Sequence, residues 1–313
     1  MMFIKNKFFD LRFNFVFSFC FTSYIIIIII LILDFRMTSL NLKKFDMGSI
    51  PKGSIVVMIG KRNTGKSFLV RDFLYYKRDL PIGTVISASE NSNNFYSEII
   101  PKIFIHDEYS PEIIANLVKR QELVTKKMKQ QIAMYGKSNI DPHGFLVLDD
   151  MMFSANEWLK DANIKKIFMN GRHFNITFLL TMQYALGLST AMRSQCDFVV
   201  LCRENYVSNR KRLYEHYAGM FPTFEIFCQV MNQCTENYEV LVINNQVKSN
   251  KLEDMVFWYK ADSHPSFKLG APEFWQYHSN NYSDQNEEED DTIDLTNIKK
   301  NKNAITVNVK KSY

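Results

Sequence analysis

Short apolar segments alternate with longer amphipathic segments along most of the chain. Seven apolar segments rich in β-branched and aromatic residues predict strands: residues 54–60, 84–89, 102–106, 144–150, 175–182, 197–202 and 238–243. Their almost unbroken apolar content is typical of strands that are covered on both faces. Strands of this kind, separated by helices, predict an α/β fold with a mostly parallel central sheet flanked by helices.

The amphipathic segments carry the spacing of helices. Residues 111–135 place apolar side chains three, four or seven positions apart, which predicts one long helix with a single apolar face. Residues 156–169 and 208–218 predict two further helices. Such helices supply the crossover connections that neighbouring parallel strands require.

The composition divides the chain into three parts. Residues 1–36 are an apolar N-terminal segment, residues 37–280 a globular domain, and residues 281–313 a charged tail that we expect to be disordered. Residues 15–33 are 19 uncharged residues, which is long enough to cross a membrane. We therefore keep two interpretations of the N-terminal segment: a membrane anchor, or a translated leader with the protein starting at Met37.

Charge and cysteine content narrow the class of protein only slightly. The chain has 313 residues, with 38 basic and 33 acidic side chains and a net charge of +5. This small excess does not by itself indicate a nucleic-acid-binding protein. The 5 cysteines form no CxxC pair, so the sequence favours reduced thiols over a disulfide framework or a zinc site.

A glycine-rich motif follows the first strand and precedes a helical pattern. Its sequence GKRNTGKS fits GxxxxGK[ST], whose backbone N–H groups and helix N-terminus bind phosphate oxygens. In this pattern Lys66 contacts the β- and γ-phosphates and the Ser67 hydroxyl binds Mg²⁺. The sequence therefore predicts an ATP and Mg²⁺ site. Its predicted nucleotide-binding residues are Gly60, Lys61, Arg62, Asn63, Thr64, Gly65, Lys66 and Ser67.

Polar residues at the ends of two later strands complete the predicted site. Asp149 and Asp150 follow a buried strand, and Gln183 follows the next one. Because carboxyl ends of parallel strands meet at one edge, we expect these side chains near the phosphate loop. Asp149 would bind Mg²⁺ through water, Asp150 would act on the attacking water, and Gln183 would sense the γ-phosphate.

Two arginines flank the strand that precedes Gln183. Phosphoryl transfer needs positive charge on the transferred group in the transition state, often from a neighbouring subunit. Arg172 and Arg193 are candidates for this role. Either could equally form a surface ion pair, and the sequence leaves this open.

Five motifs together resemble the FtsK/HerA superfamily of P-loop ATPases. Within it, residues 50–280 are most similar to the poxvirus-type genome-packaging ATPases of large eukaryotic DNA viruses. The motifs are GKRNTGKS (60–67), FLVLDDMM (145–152), FMNGRHFNITFLLTMQY (168–184), RSQCDFVVLCRE (193–204) and FKLGAPEFWQYH (267–278). One difference concerns the catalytic acid, because much of the superfamily has Glu where this chain has Asp150.

The resemblance implies a P-loop NTPase fold of the RecA/FtsK-HerA type and an ATP-driven motor that packages double-stranded DNA into a capsid. It implies a homo-oligomeric, hexameric ring with capsid or portal proteins as partners, located in the viral factory of the host cytoplasm or in the virion. It assigns nucleotide and metal binding to Lys66 and Ser67, the metal-associated acid to Asp149 and the catalytic acid to Asp150. It assigns the polar sensor to Gln183. Arg172 is the first candidate for the finger that acts on the neighbouring subunit, and Arg193 the second.

Two other functions use the same motifs. A small-molecule kinase would add an acceptor pocket and an arginine-rich lid, for which residues 186–237 give no clear pattern. A membrane-anchored assembly factor would use nucleotide only for regulation and would contact the membrane through residues 15–33.

Overall fold

One central sheet organises the part of the chain that the structure describes, residues 40–185 and 187–282. The structure is a computed structural model. Within these residues the sheet has 8 strands. They are β1 (Ile55–Ile59), β2 (Gly83–Ser87), β3 (Ile105–His106), β4 (Gly144–Asp149), β5 (Ile176–Met182), β6 (Phe198–Leu201), β7 (Glu239–Asn244) and β8 (Val256–Lys260).

The strand order is β3-β2-β4-β5-β1-β6-β7-β8. All pairs from β3 to β6 are parallel, whereas β7 and β8 extend the sheet in antiparallel fashion. Ile59 at the end of β1 lies opposite Met182 at the end of β5. The predicted α/β fold with a mostly parallel sheet is confirmed, and the carboxyl ends of its central strands share one edge.

Helices connect the strands and cover both faces of the sheet. The long helix predicted over residues 111–135 is observed with these bounds. The helices are α1 (Lys66–Tyr76), α2 (Glu90–Asn93), α3 (Pro111–Tyr135), α4 (Ala155–Trp158), α5 (Ala162–Asn170), α6 (Thr190–Arg193), α7 (Val207–Tyr217), α8 (Phe224–Cys234), α9 (Leu252–Met255) and α10 (Pro272–Asn281).

The prediction of a single helix over residues 156–169 is wrong, because the two helices α4 and α5 occupy this region. Asp161 interrupts the helical pattern, and its carboxylate accepts a hydrogen bond from the Asn163 N–H at 2.6 Å, which caps α5. Trp158 ends α4, fully buried, with its indole N–H donating to the Met151 carbonyl at 2.8 Å. The break therefore follows from a local cap and a buried anchor.

The strands β1, β2, β4, β5 and β6 are buried on both faces, as their apolar content predicts. One face packs against a cluster that includes Trp158, Phe168 and Phe178. The other packs against the phosphate-loop helix α1, whose Val70 and Phe73 are fully buried. Because α1 is held in a core, its N-terminus has a fixed position at the edge of the sheet.

The predicted N-terminal segment and most of the predicted tail lie outside the described residues. The division into residues 1–36, 37–280 and 281–313 therefore stays a prediction. Among residues 40–185 and 187–282, no helix combines the length and the apolar content needed to span a membrane.

A buried carboxylate joins α1 to the antiparallel end of the sheet. Asp72 of α1 is 1% exposed and accepts a hydrogen bond from the Tyr259 hydroxyl of β8 at 2.6 Å. Its other oxygen lies 2.5 Å from His264 Nε2. Burial raises the pKa of Asp72, and these two bonds oppose that shift. The contact fixes the back of the phosphate-loop helix to the C-terminal part of the fold.

Replacing Tyr259 by Phe removes a hydroxyl and leaves the buried Asp72 carboxyl with one donor fewer. We expect Tyr259→Phe to lower the free energy of unfolding by about 1–3 kcal/mol. Urea unfolding of the full chain measures this change. The control is Tyr277→Phe, at a tyrosine that is 53% exposed. Equal losses of stability in the two variants would contradict a structural role for the bond between Tyr259 and Asp72.

Candidate active site

A cavity of about 560 Å³ opens at the carboxyl edge of the central strands. It brings together residues that are more than a hundred positions apart in the sequence. Nine of the predicted site residues line it: Lys61, Arg62, Asn63, Gly65, Lys66, Ser67, Asp149, Asp150 and Gln183. The order of the strands therefore gathers most of the residues predicted for the nucleotide site around one cavity.

Two glycines allow the phosphate loop to curl between β1 and α1. A Cβ atom on Gly60 would lie 2.5 Å from the Cβ of Cys202 and 2.7 Å from the Thr64 hydroxyl, so no side chain fits there. Gly65 has a φ of +85°, a left-handed conformation that favours glycine. It caps α1, so the positive N-terminus of that helix faces the cavity.

Lys66 is held at the loop by backbone carbonyl groups. Its ammonium donates a hydrogen bond to the Gly60 carbonyl, and the Lys61 carbonyl oxygen lies 3.4 Å away. Burial lowers the pKa of Lys66. A partly desolvated ammonium whose hydrogen-bond partners are neutral carbonyl groups attracts an anion, and a phosphate oxygen satisfies this requirement.

Asp149 is a buried carboxylate at the end of β4. It is 9% exposed and accepts a hydrogen bond from the Thr181 hydroxyl at 2.5 Å. Burial raises the pKa of Asp149. Burial, followed by the neighbouring Asp149 carboxylate, also raises the pKa of the Tyr96 hydroxyl. Asp149 therefore lies in an environment that favours pairing with a cation.

Thr181 was not among the predicted site residues, although it connects both acids. Its hydroxyl donates to Asp149 and also accepts a hydrogen bond from the Asp150 N–H at 3.1 Å. Thr181 lies two positions before Gln183 in a strand that is buried throughout. The strand holds two buried hydroxyl groups, and the position of Thr181 at its carboxyl end, beside Gln183, is the signal in the sequence that distinguishes it from Thr177.

Asp150 and Gln183 form a direct pair. The Gln183 amide donates a hydrogen bond to the Asp150 carboxylate. Asp150 has a φ of 55°, a left-handed conformation that is uncommon for a residue other than glycine. This conformation turns the predicted catalytic acid out of the strand and towards the predicted sensor.

The donor atoms at the cavity fit Mg²⁺. The Ser67 hydroxyl and the Asp149 carboxylate line the same cavity and are hard oxygen ligands. Mg²⁺ commonly binds through one or two protein oxygens, several waters and the phosphates of a nucleotide. In the described ranges no group of three or more His, Cys, Asp or Glu side chains forms a separate metal cluster. The residues present therefore suit a metal that arrives with the nucleotide.

Arg172 and Arg193 are not brought into this cavity. Arg172 lies before β5, at the opposite edge of the sheet, where it forms an ion pair with the buried Asp197. The Asp197 carboxylate also accepts a hydrogen bond from the N–H of Ile55, the first residue of β1, at 2.8 Å. Arg193 donates to the Leu188 carbonyl at 2.6 Å. The assignment of either arginine to a neighbouring subunit's site stays a prediction.

An ion pair that the sequence did not predict holds one residue of the phosphate loop. The Lys61 ammonium lies 2.5 Å from a Glu204 carboxylate oxygen and 3.7 Å from the centre of the Tyr206 ring. Burial opposes ionisation of Glu204, but the hydrogen bonds from Lys61 and the Tyr206 N–H hold its pKa below the ordinary value. Lys61 therefore supports the loop from the β6 side.

Sequence comparison identifies relatives in large DNA viruses. No protein-family model matches the chain. The uncharacterized protein L437 of Acanthamoeba polyphaga mimivirus is 40% identical over 242 residues, which cover 77% of this chain and 84% of L437. The uncharacterized protein 088R of Invertebrate iridescent virus 3 is 36% identical over 250 residues, which cover 78% of this chain and 91% of 088R.

Among solved structures, the chain is similar to B204, the DNA-packaging ATPase from Sulfolobus Turreted Icosahedral Virus. The two share 16% identity with a TM-score of 0.46, over 68% of this chain and 100% of B204. The two viral relatives align over most of their own length at 36% identity or more. The chain therefore belongs to the family of large-DNA-virus proteins that includes L437 and 088R, and it has the α/β P-loop fold that its motifs predict.

Proposed function

We propose that this protein is an ATP-hydrolysing motor that moves double-stranded DNA and packages a viral genome into its capsid. The proposal of ATP hydrolysis rests on one observation: Lys66, Asp149 and the Asp150–Gln183 pair line the same cavity. The DNA part is supported by the motif resemblance to viral packaging ATPases and by relatives from large DNA viruses.

The phosphate loop binds the triphosphate in this proposal. Backbone N–H groups at the N-terminus of α1 and the Lys66 ammonium bind the β- and γ-phosphates. The Ser67 hydroxyl and the Asp149 carboxylate would hold Mg²⁺, and Thr181 orients Asp149 through its hydroxyl. When bound, the metal neutralises charge that develops on the phosphate oxygens.

Asp150 and Gln183 act on the attacking water. The Asp150 carboxylate accepts a proton from the water, and the Gln183 amide orients the water towards the γ-phosphate. Their mutual hydrogen bond keeps both side chains at the same end of the cavity. Because Asp is one methylene shorter than Glu, its left-handed backbone conformation is what extends the carboxylate towards the water.

Arg172 acts across a subunit boundary in this proposal. It is exposed at the amino edge of the sheet, whereas the nucleotide cavity lies at the carboxyl edge. In a head-to-tail ring the amino edge of one subunit can face the carboxyl edge of the next. Arg172 would then add positive charge to the neighbour's γ-phosphate, which couples hydrolysis to ring assembly.

The remaining partners follow from the proposed reaction. A packaging motor binds DNA through its phosphates without reading sequence, so its DNA contacts depend on salt. Capsid or portal proteins would anchor the ring, in a viral factory of the host cytoplasm or on the virion. Membrane contact would use residues 15–33, which lie outside the described residues.

Double-stranded DNA should stimulate ATP hydrolysis by the full chain, to the same extent for unrelated sequences and less at high salt.

Lys66→Ala should lower the hydrolysis rate by at least about 100-fold, since it removes a preorganised donor to the transferred phosphate. Lys260→Ala, at an exposed lysine of β8, is the matched control. A rate of ATP hydrolysis that DNA leaves unchanged would contradict the motor. Phosphate transfer to nucleosides would contradict it too and would favour a kinase.

Asp150→Asn should lower kcat for ATP hydrolysis by about 10²- to 10⁴-fold, since an amide cannot accept the proton of the water. The KM for ATP should change little, because Asp150 contacts the water and not the nucleotide. Steady-state kinetics with Asp262→Asn, at an exposed aspartate, as the control separates the two parameters. A raised KM with an unchanged kcat would assign Asp150 to binding instead.

When Arg172→Ala subunits are mixed with wild-type subunits, the fraction of ATPase activity lost should exceed the fraction of altered subunits in the mixture. The reason is that each altered subunit removes positive charge from the site of its wild-type neighbour. ATPase activity measured across mixing ratios tests this, and Arg212→Ala, at an exposed arginine of α7, serves as the control. Activity that falls in direct proportion to the wild-type fraction would rule Arg172 out as the finger.

A further inference from the structure

Tyr238 has an unusual backbone conformation at the rim of the nucleotide cavity. Six residues other than glycine have positive φ angles in the described parts of the chain, and four of them are Asn, which tolerates this conformation. The two exceptions are Asp150, with a φ of 55°, and Tyr238, with a φ of 64°. Both line the same cavity. Such strain gathers at functional sites, where the surrounding structure maintains it.

Core packing does not account for the conformation of Tyr238. Its side chain is 69% exposed, so the strain is not offset by burial of the ring. The ring rests against the phosphate loop: a Cβ atom placed on Gly65 would lie 3.2 Å from the Tyr238 Cδ1 atom. The conformation therefore presents an open aromatic surface directly beside the residue that precedes Lys66.

The topology places Tyr238 at the end of the cavity opposite to the groups that cleave phosphate. Tyr238 precedes β7, and because β7 is antiparallel to β6, its first residue lies at the carboxyl edge of the sheet. β6 and β7 lie on one side of β1, whereas β5 and β4, which carry Gln183 and Asp149, lie on the other. A nucleotide with its γ-phosphate near Gln183 therefore extends its base towards Tyr238.

We propose that Tyr238 stacks on the base of the bound nucleoside triphosphate. This inference rests on the proposed function, since it assigns a second contact within the same nucleotide site. A ring that meets the face of a base responds to aromatic area and not to exocyclic groups. The Tyr238 contact therefore favours purine over pyrimidine nucleotides and contributes little to the choice between adenine and guanine.

Phe68 is the other exposed aromatic residue that lines the cavity. It lies in the first turn of α1 directly after Ser67 and is 50% exposed. Its place in a regular helix requires no special backbone conformation. Tyr238 is the second central residue of a tight turn that the Glu239 N–H closes on the Glu236 carbonyl at 2.8 Å, a position that favours Asn or Gly over a bulky residue. We assign the base contact to Tyr238 because its exposed ring lies on the β7 side of the cavity, the side towards which the base extends.

Binding of ATP and of inorganic triphosphate, which has no base, tests the assignment in the full chain. Tyr238→Asn removes the ring and keeps a residue that tolerates a left-handed backbone. We expect it to weaken ATP binding by about 5- to 100-fold and to leave triphosphate binding unchanged. Tyr238→Phe should bind ATP like the wild type. Tyr135→Asn, at an exposed tyrosine that ends α3, is the control.

Binding of a series of purine and pyrimidine nucleoside triphosphates adds a second readout. The wild type should bind ATP and GTP more tightly than CTP and UTP, and Tyr238→Asn should reduce this difference. If ATP and triphosphate affinities fall together in Tyr238→Asn, the ring only shapes the loop. If neither changes, the base lies elsewhere, for example on Phe68. Either result overturns the stacking proposal while leaving an ATPase in place, whereas a wild type that binds neither ligand overturns the proposed function too.

Discussion

The alignment of strand ends at one edge of the sheet is the constraint on which the candidate site depends. Ile59 of β1 lies opposite Met182 of β5, and the Gly60 N–H donates to the Met182 carbonyl at 2.9 Å. The phosphate loop is thus bonded to the residue that precedes Gln183. Because side chains of these strands alternate between two differently packed cores, a register shift of one residue would move each side chain to the opposite core and separate Gln183 from Lys66. The hydrophobic core therefore sets the distances between the polar groups.

Two adjacent acids acquire different environments at this edge. Asp149 is buried and bonded to the Thr181 hydroxyl, whereas Asp150 leaves the strand through a left-handed conformation and pairs with Gln183. The Thr181 hydroxyl donates a hydrogen bond to the Asp149 carboxylate and accepts one from the Asp150 N–H. A difference in environment between neighbouring carboxyl groups is what allows one to associate with a cation and the other to act on water.

The parts of this protein that could be predicted from sequence are those determined by local pattern. The phosphate loop, the central strands and the helix over residues 111–135 each follow from spacing within one segment. The roles of Thr181 and Tyr238 and the ion pair between Lys61 and Glu204 depend on strand order and on pairings across long stretches of chain. Strand β8 was missed because its antiparallel pairing with β7 leaves several of its side chains partly exposed. The Arg172 assignment cannot be predicted from one subunit, because it concerns a contact between subunits.

The central claim is that these strand ends form one phosphate-cleaving site, and an experimental structure with a non-hydrolysable ATP analogue and Mg²⁺ tests it most directly. The account predicts the γ-phosphate between the Lys66 ammonium and the Gln183 amide, with the metal bound by Ser67 and, directly or through water, by Asp149. A nucleotide bound elsewhere on the chain, or bound at the loop with Asp149 and Gln183 turned away from its phosphates, would contradict it.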